Sequence, residues 1–150
     1  MTQELNASLR IAVVVSRFNA EVTDGLLKGA LLELGERGVT VDLAHVYTAP
    51  GAFEIPLIAQ SLAKTGRFDG VVCLGCVIKG DTAHFEYISE AASSGLMNAS
   101  LATGVPLTFG ILTTYTDEQA ILRSRDDAHN KGREAAAACV ESLAVLKAIG

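Results

Sequence analysis

A chain of 150 residues is the length of one domain and is long enough to bury a sizeable core. A net charge of −5 with no Lys/Arg-rich run excludes a nucleic-acid footprint, and aliphatic runs such as "IAVVV" fall far short of the ~20 residues of a membrane span. Charged residues make up 19%, against about 25% in ordinary soluble domains, so part of the surface is expected to be covered in an oligomer.

The opening "MTQELNASLR" has no basic-then-apolar leader pattern, and the cytoplasm is the expected compartment. Residues 1–9 are expected to form an extended segment at the front of a single domain spanning 1–150. "LRIAVVV" (9–15) reads as a buried strand, because continuous branched apolar residues suit a parallel sheet covered on both faces. "EVTDGLLKGALLELGERG" then spaces Val22, Leu26, Leu27, Ala30, Leu31 and Leu34 for one helical face, with Gly38 as the stop. "VTVDLAHVY" (39–47) reads as the second strand. "TAPGAFEIP", with two prolines and a glycine, predicts a tight turn before a helix near 55–65.

"GVVCLGCVI" (70–78) is the third predicted strand, followed by a long helix from His84 to about residue 102. "VPLTFGILTT" (105–114) is the fourth strand. "TDEQAILR" opens a short helix capped by Thr116 or Asp117. "RSRDDAHNKG" breaks the pattern, and "REAAAACVESLAVLKAI" closes as a final helix. Right-handed crossovers turn this alternation into an α/β fold, a flavodoxin-like three-layer sandwich with a four-stranded parallel sheet flanked by helices.

The C-x-x-C spacing of Cys73 and Cys76 lies inside a strand pattern, where residues three apart point to opposite faces, so buried cysteines rather than a redox pair are expected. Cys139 falls in the Ala-rich helix. His45, His84 and His129 are scattered, and no metal-ligand spacing is present.

Ligands of parallel α/β sheets bind outside the carboxyl ends of the strands. There the sequence puts Ser16, Arg17 and Phe18 after the first strand, Phe53 and Glu54 after the second, "KGDTAH" after the third, and Phe109 on the fourth. Aromatic rings beside an acid and a histidine suit a flat polar heterocycle. Gly80 permits a close turn, and the amides of Asp81 and Thr82 at a helix start form an anion site; the competing reading is a turn capped by Asp81 alone. His84 is either a proton shuttle, the ordinary histidine pKa being about 6.5, or a helix-start histidine bonded to a carbonyl. Glu54 either orients a ligand or caps the next helix. Arg123 and Lys131 are either clamps for an anion or solvated cations. His45 and His129 are expected to be structural. No Ser-His-Asp order, P-loop or G-x-G-x-x-G is present, so the residues alone specify an anion, a ring and a proton relay, without a reaction.

Together, "SRFN", "PGAFEIP", "GCVIKGDTAHFEYI", "TFGILTT" and "NKGREAA" resemble the lumazine synthase family of riboflavin biosynthesis, in order and over nearly the whole chain. The resemblance implies condensation of 5-amino-6-(D-ribitylamino)uracil with 3,4-dihydroxy-2-butanone 4-phosphate, without cofactor or metal. It implies that Asp81, Thr82 and Arg123 hold the phosphate and that His84 transfers protons. Phe18, Ala52, Phe53, Glu54, Cys76, Val77 and Ile78 line the pyrimidine and ribityl pocket, Phe109 lies over the ring, and Lys131 stands near the site. It further implies a homopentamer in which Phe109 and Arg123 come from the subunit next to the one carrying His84. In some members twelve pentamers close into an icosahedral shell, and the short connection before the last helix is compatible with one. Residues 124–129, Ser-Arg-Asp-Asp-Ala-His, depart from the family's usual loop, putting two acids near the phosphate and a second arginine, Arg125, beside Arg123. Other readings are a riboflavin synthase of the same fold, a non-catalytic shell or ligand-binding homologue, and a generic flavodoxin-like binding module.

Overall fold

A computed structural model describes residues 6–150. Four strands, β1 (Ile11–Ser16), β2 (Val46–Ala49), β3 (Gly70–Ile78) and β4 (Leu107–Thr114), pair in the order β2-β1-β3-β4, every neighbour parallel. Among the described residues five α-helices accompany them, the first three connecting strands and the last two following β4: α1 (Ala20–Glu36), α2 (Ile55–Lys64), α3 (His84–Thr103), α4 (Asp117–Leu122) and α5 (Lys131–Ile149). β3 bridges the two halves and is apolar on both sides. Val72, Leu74 and Cys76 pack into a cluster with Leu26 and Leu34 of α1 and Ala135, Ala136 and Cys139 of α5. Val71, Cys73 and Val77 face Ile55, Ala59 and Leu62 of α2 and Ala92 and Leu96 of α3. Helices therefore cover both faces, the three-layer arrangement that the aliphatic strand runs predict.

The chain leaves β1 toward β2 and returns on the other side of β1 to β3. Strand order thus reverses between β1 and β3, and a crevice opens at their carboxyl ends. Among the described residues no helix is long and apolar enough to cross a membrane.

One expectation needs correction, and another lies partly outside the described residues. The second strand, expected over 39–47, begins only at Val46. Gly38 adopts φ 90°, Val39 N donates to Leu34 O at 2.8 Å, and Asp42 Oδ1 accepts from Ala44 N at 2.8 Å, nucleating a 3₁₀ turn over Leu43–His45. These local bonds compete with the sheet ladder, as Asp side chains do at turns. The extended segment expected over 1–9 lies partly outside the described residues. Within them, Asn6 to Ser8 form a helical turn, with Leu9 N bonded to Asn6 O at 3.0 Å and the buried Asn6 amide donating to Arg37 O at 2.8 Å.

Candidate active site

Each segment around the crevice has a backbone reason for its sequence. Beyond β1 the pairing with β2 continues, Arg17 N donating to Ala49 O at 2.8 Å and Phe18 N to Pro50 O at 3.2 Å, which carries the Phe18 ring out to the rim. Asn19 then turns the chain into α1 from a left-handed conformation (φ 61°) that asparagine tolerates better than most residues. Its side-chain amide donates to Cys76 O at 3.2 Å, tying the end of β1 to the end of β3.

These elements enclose a cavity of about 560 Å³ lined by Phe18, Ala52, Phe53, Glu54, Cys76, Val77 and His84, with Pro50, Gly51 and Ile88. Phe18 is 70% and Phe53 57% exposed, so two rings stand largely in water at its mouth. Glu54 occupies the position before α2 yet makes no side-chain capping bond, which removes the helix cap as its role. Burial, reinforced by the charge of Asp117, pushes the Cys76 thiol up to about 11. Burial, with a smaller contribution from Asp69, pushes Cys139 up to about 12, and burial also raises Cys73 strongly. All three are neutral core thiols. Cys73 and Cys76 pack on opposite faces of the sheet.

His84 is the first residue of α3, and its amide donates to Thr82 Oγ1 at 3.3 Å. Thr82 rather than Asp81 therefore fixes the helix start. Among the described residues the Asp81 carboxylate has no hydrogen bond or ion pair, and the amides of Asp81 and Thr82 donate to no protein group. Asp81 and Thr82 are exposed on the rim and line neither large cavity of the site. Ile78 alternates away from Val77 and faces a separate cleft with Asn19, Val22, Asp117 and Ile121.

Phe109, Arg123 and Lys131 come together elsewhere, in a second cavity of about 740 Å³ along the edge strand β4. A capping box sets α4, Thr116 Oγ1 accepting from Gln119 N at 3.1 Å while Gln119 Oε1 accepts from Thr116 N at 3.3 Å. Arg123 ends that helix, exposed, with Nη1 bonded to Gln119 O at 3.1 Å. Lys131 N donates to Arg123 O at 2.8 Å, and Lys131 Nζ pairs with Glu134 at 3.0 Å. Among the described residues no group of three or more His, Cys, Asp or Glu is placed to hold a metal ion.

A model of the 6,7-dimethyl-8-ribityllumazine synthase family matches residues 8–147. A protein of Caulobacter vibrioides named 6,7-dimethyl-8-ribityllumazine synthase 1 is 66% identical over 140 residues, covering 93% of this chain and 92% of its own. Proteins named 6,7-dimethyl-8-ribityllumazine synthase from Salinibacter ruber (50% identical, 91% of this chain and 88% of its own) and Deinococcus deserti (45%, 97% and 93%) match along the same length. The chain belongs to the lumazine synthase family.

In this lumazine synthase family member, the loop after Arg123 is tied down by polar contacts. Asp126 lies 4.0 Å from Lys28 of α1, and Asp127 Oδ1 accepts from His129 N at 2.8 Å. His129 lines the second cavity with Arg123 and Lys131, although a structural role is expected of it from sequence, and His45 packs edge-on against Phe68 with ring centres 5.0 Å apart. Two residues of the site region escape the sequence reading. Tyr115 lines the second cavity, its ring 6.0 Å from Phe85 and 5.5 Å from Lys79 Nζ. Asn130 is buried beneath the Arg123 loop, and its signal is the Asn that immediately precedes a helical pattern.

Proposed function

We propose that the chain condenses 5-amino-6-(D-ribitylamino)uracil with 3,4-dihydroxy-2-butanone 4-phosphate, giving 6,7-dimethyl-8-ribityllumazine, phosphate and water. The observation carrying this reading beyond family membership is the division of the site. Phe18, Ala52, Phe53, Glu54, Cys76, Val77 and His84 line one cavity, while Phe109, Arg123 and Lys131 line another. Two half-sites on one chain are what a ring of identical subunits needs, each interface joining the first cavity of one copy to the second cavity of its neighbour. A pentamer is the proposed assembly, and closure of twelve pentamers into a shell is its proposed extension. Three free cysteines fit the reducing cytoplasm.

The residues supply positioning, electrostatics and proton transfer. Phe18 and Phe53 offer apolar faces to the pyrimidine, and the uncapped Glu54 carboxylate accepts hydrogen bonds from donors on it or on its ribityl chain. The 5-amino nitrogen attacks the ketone carbon, and the resulting carbinolamine loses water to an imine. Removal of the proton from the neighbouring carbon then expels phosphate from the terminal carbon, leaving an enol. After tautomerisation to a ketone, the ribityl-bearing nitrogen closes the ring and the second water leaves. Every stage moves a proton, and His84 at the cavity wall is the side chain that carries it. The unpaired amides of Asp81 and Thr82, with Arg123 of the neighbouring copy, stabilise the phosphate as its charge develops on departure. No step requires a covalent bond to the protein, so holding both reactants in contact provides much of the acceleration.

The test mixes the protein with both substrates, each omitted in turn, and follows lumazine absorbance with phosphate release. Formation of both products above the uncatalysed rate, dependent on both substrates, is the expected outcome. Ligand binding to an intact oligomer without product above background would leave a scaffold in place of an enzyme.

A further inference from the structure

A seven-residue loop without regular structure, residues 124–130, separates the two cations of the second cavity. Such a segment holds a charged side chain in register only if its own backbone is anchored. The anchor is Asn130, 1% exposed and bonded through every polar atom of its side chain. Its carbonyl oxygen accepts from Gly132 N at 2.8 Å and Arg133 N at 3.1 Å, capping α5. Its amide donates to Arg125 O at 2.8 Å and, across 105 residues of sequence, to Gly25 O of α1 at 3.1 Å. The loop is closed at its ends by the Lys131 N bond to Arg123 O at 2.8 Å.

Helix α1 is shaped to receive it. A methyl group on Gly25 would overlap Ser124 O, and one on Gly29 would overlap the Asn130 side chain. Gly132, in turn, lies against Leu26 O with no room for a β-carbon. The two halves of the Asn130 amide therefore do separable jobs: the oxygen starts a helix, and the nitrogen holds the loop to α1.

We propose that Asn130 is a positioning residue for the reaction, its side-chain nitrogen fixing the loop that aims Arg123 at the substrate phosphate. This rests on the assignment of Arg123 to that phosphate. The loop carries Asp127, which lines the second cavity with Arg123, and Asp126 beside it, so its anchoring also decides how near those carboxylates come to the anion. Lys28 already holds Asp126 from α1.

Two substitutions separate loop anchoring from helix capping. Asn130→Ser keeps a good capping oxygen but removes the nitrogen. Gly25→Ala keeps the Asn130 side chain and its cap on α5, and pushes the loop away at Ser124 O from the α1 side. In each, the KM for the butanone phosphate is expected to rise about tenfold, with the pyrimidine KM and kcat nearly unchanged, as a small misplacement of a binding group would give. Inhibition by inorganic phosphate should weaken in parallel. Combined with Arg123→Ala, either substitution should add nothing further, because the group it positions is gone.

Equal rises in both KM values, or a full additional loss in the Arg123→Ala background, would overturn the positioning role and leave Asn130 a cap. If Arg123→Ala itself spares the butanone phosphate KM, the phosphate assignment fails, and this inference with it. Should Asn130→Ser not fold, Gly25→Ala decides by the same criteria.

Discussion

His84 opens α3 with its amide held by Thr82 Oγ1, so its ring is carried by a helix start rather than by a free loop. Replacing it by alanine removes the proton carrier while leaving the helix bond in place. Single-turnover rates for His84→Ala should fall by about 10²–10⁴-fold with the thermal midpoint unchanged, and an unaltered rate would remove the role. Phe18 makes a contrasting prediction. Its ring is 70% exposed, so Phe18→Ala should cost little stability, yet the pyrimidine KM should rise by the equivalent of about 1–2 kcal/mol of lost ring contact, measured by steady-state titration. That Phe18, Glu54 and His84 share one cavity is legible in sequence, because residues placed after predicted parallel strands must gather at one sheet edge. Ile78 lines a separate cleft, because the alternation of β3 turns neighbouring side chains to opposite faces.

At the scale of elements, the boundaries legible in sequence were those that burial decides. β3 spans the predicted Gly70–Ile78, since nine uncharged residues flanked by Asp69 and Lys79 leave no alternative buried stretch. β2 was overestimated because its apolar residues alternate like a strand, while Asp42 spends its side chain on a turn. The α1–α5 contact is equally cryptic, depending on small residues whose meaning appears only when two helices meet. Gly132→Ala should destabilise the fold by about 1–3 kcal/mol, the usual cost of overpacking, seen as a lowered denaturation midpoint. The same helix pair is joined by charge, Arg133 bridging Glu33 at 3.1 Å and Glu36 at 2.7 Å. The hydrogen bond from Arg37, aided by Arg133 and opposed by desolvation, holds the Glu33 carboxyl below its ordinary 4.5. A depressed carboxylate contributes stability above its unfolded pKa and loses it as pH falls through the folded value. The difference in melting temperature between the parent chain and Glu33→Gln should therefore be full at neutral pH and shrink below about pH 4.5. A gap that persists at lower pH would show that packing, not charge, is what the substitution disturbs.

At the scale of the molecule, the sheet ends in an open edge strand, β4, whose cavity carries Arg123 and Phe109, while His84 lines the other cavity. If the reaction needs both, a lone chain is incomplete, and the low charge content acquires a cause: surface belongs to the interface. This leads to a complementation experiment. His84→Ala and Arg123→Ala chains, each impaired alone, are co-expressed so that they assemble together. Wherever a His84→Ala copy lends its Arg123 half-site to the intact His84 cavity of an Arg123→Ala copy, a wild-type site is rebuilt, although neither chain is wild type. Mixed assemblies should then turn over well above the sum of the separate variants, and the gain should vanish if the pure variants are mixed without subunit exchange. A site contained within one chain predicts no gain from any mixture, because every copy would carry one lesion.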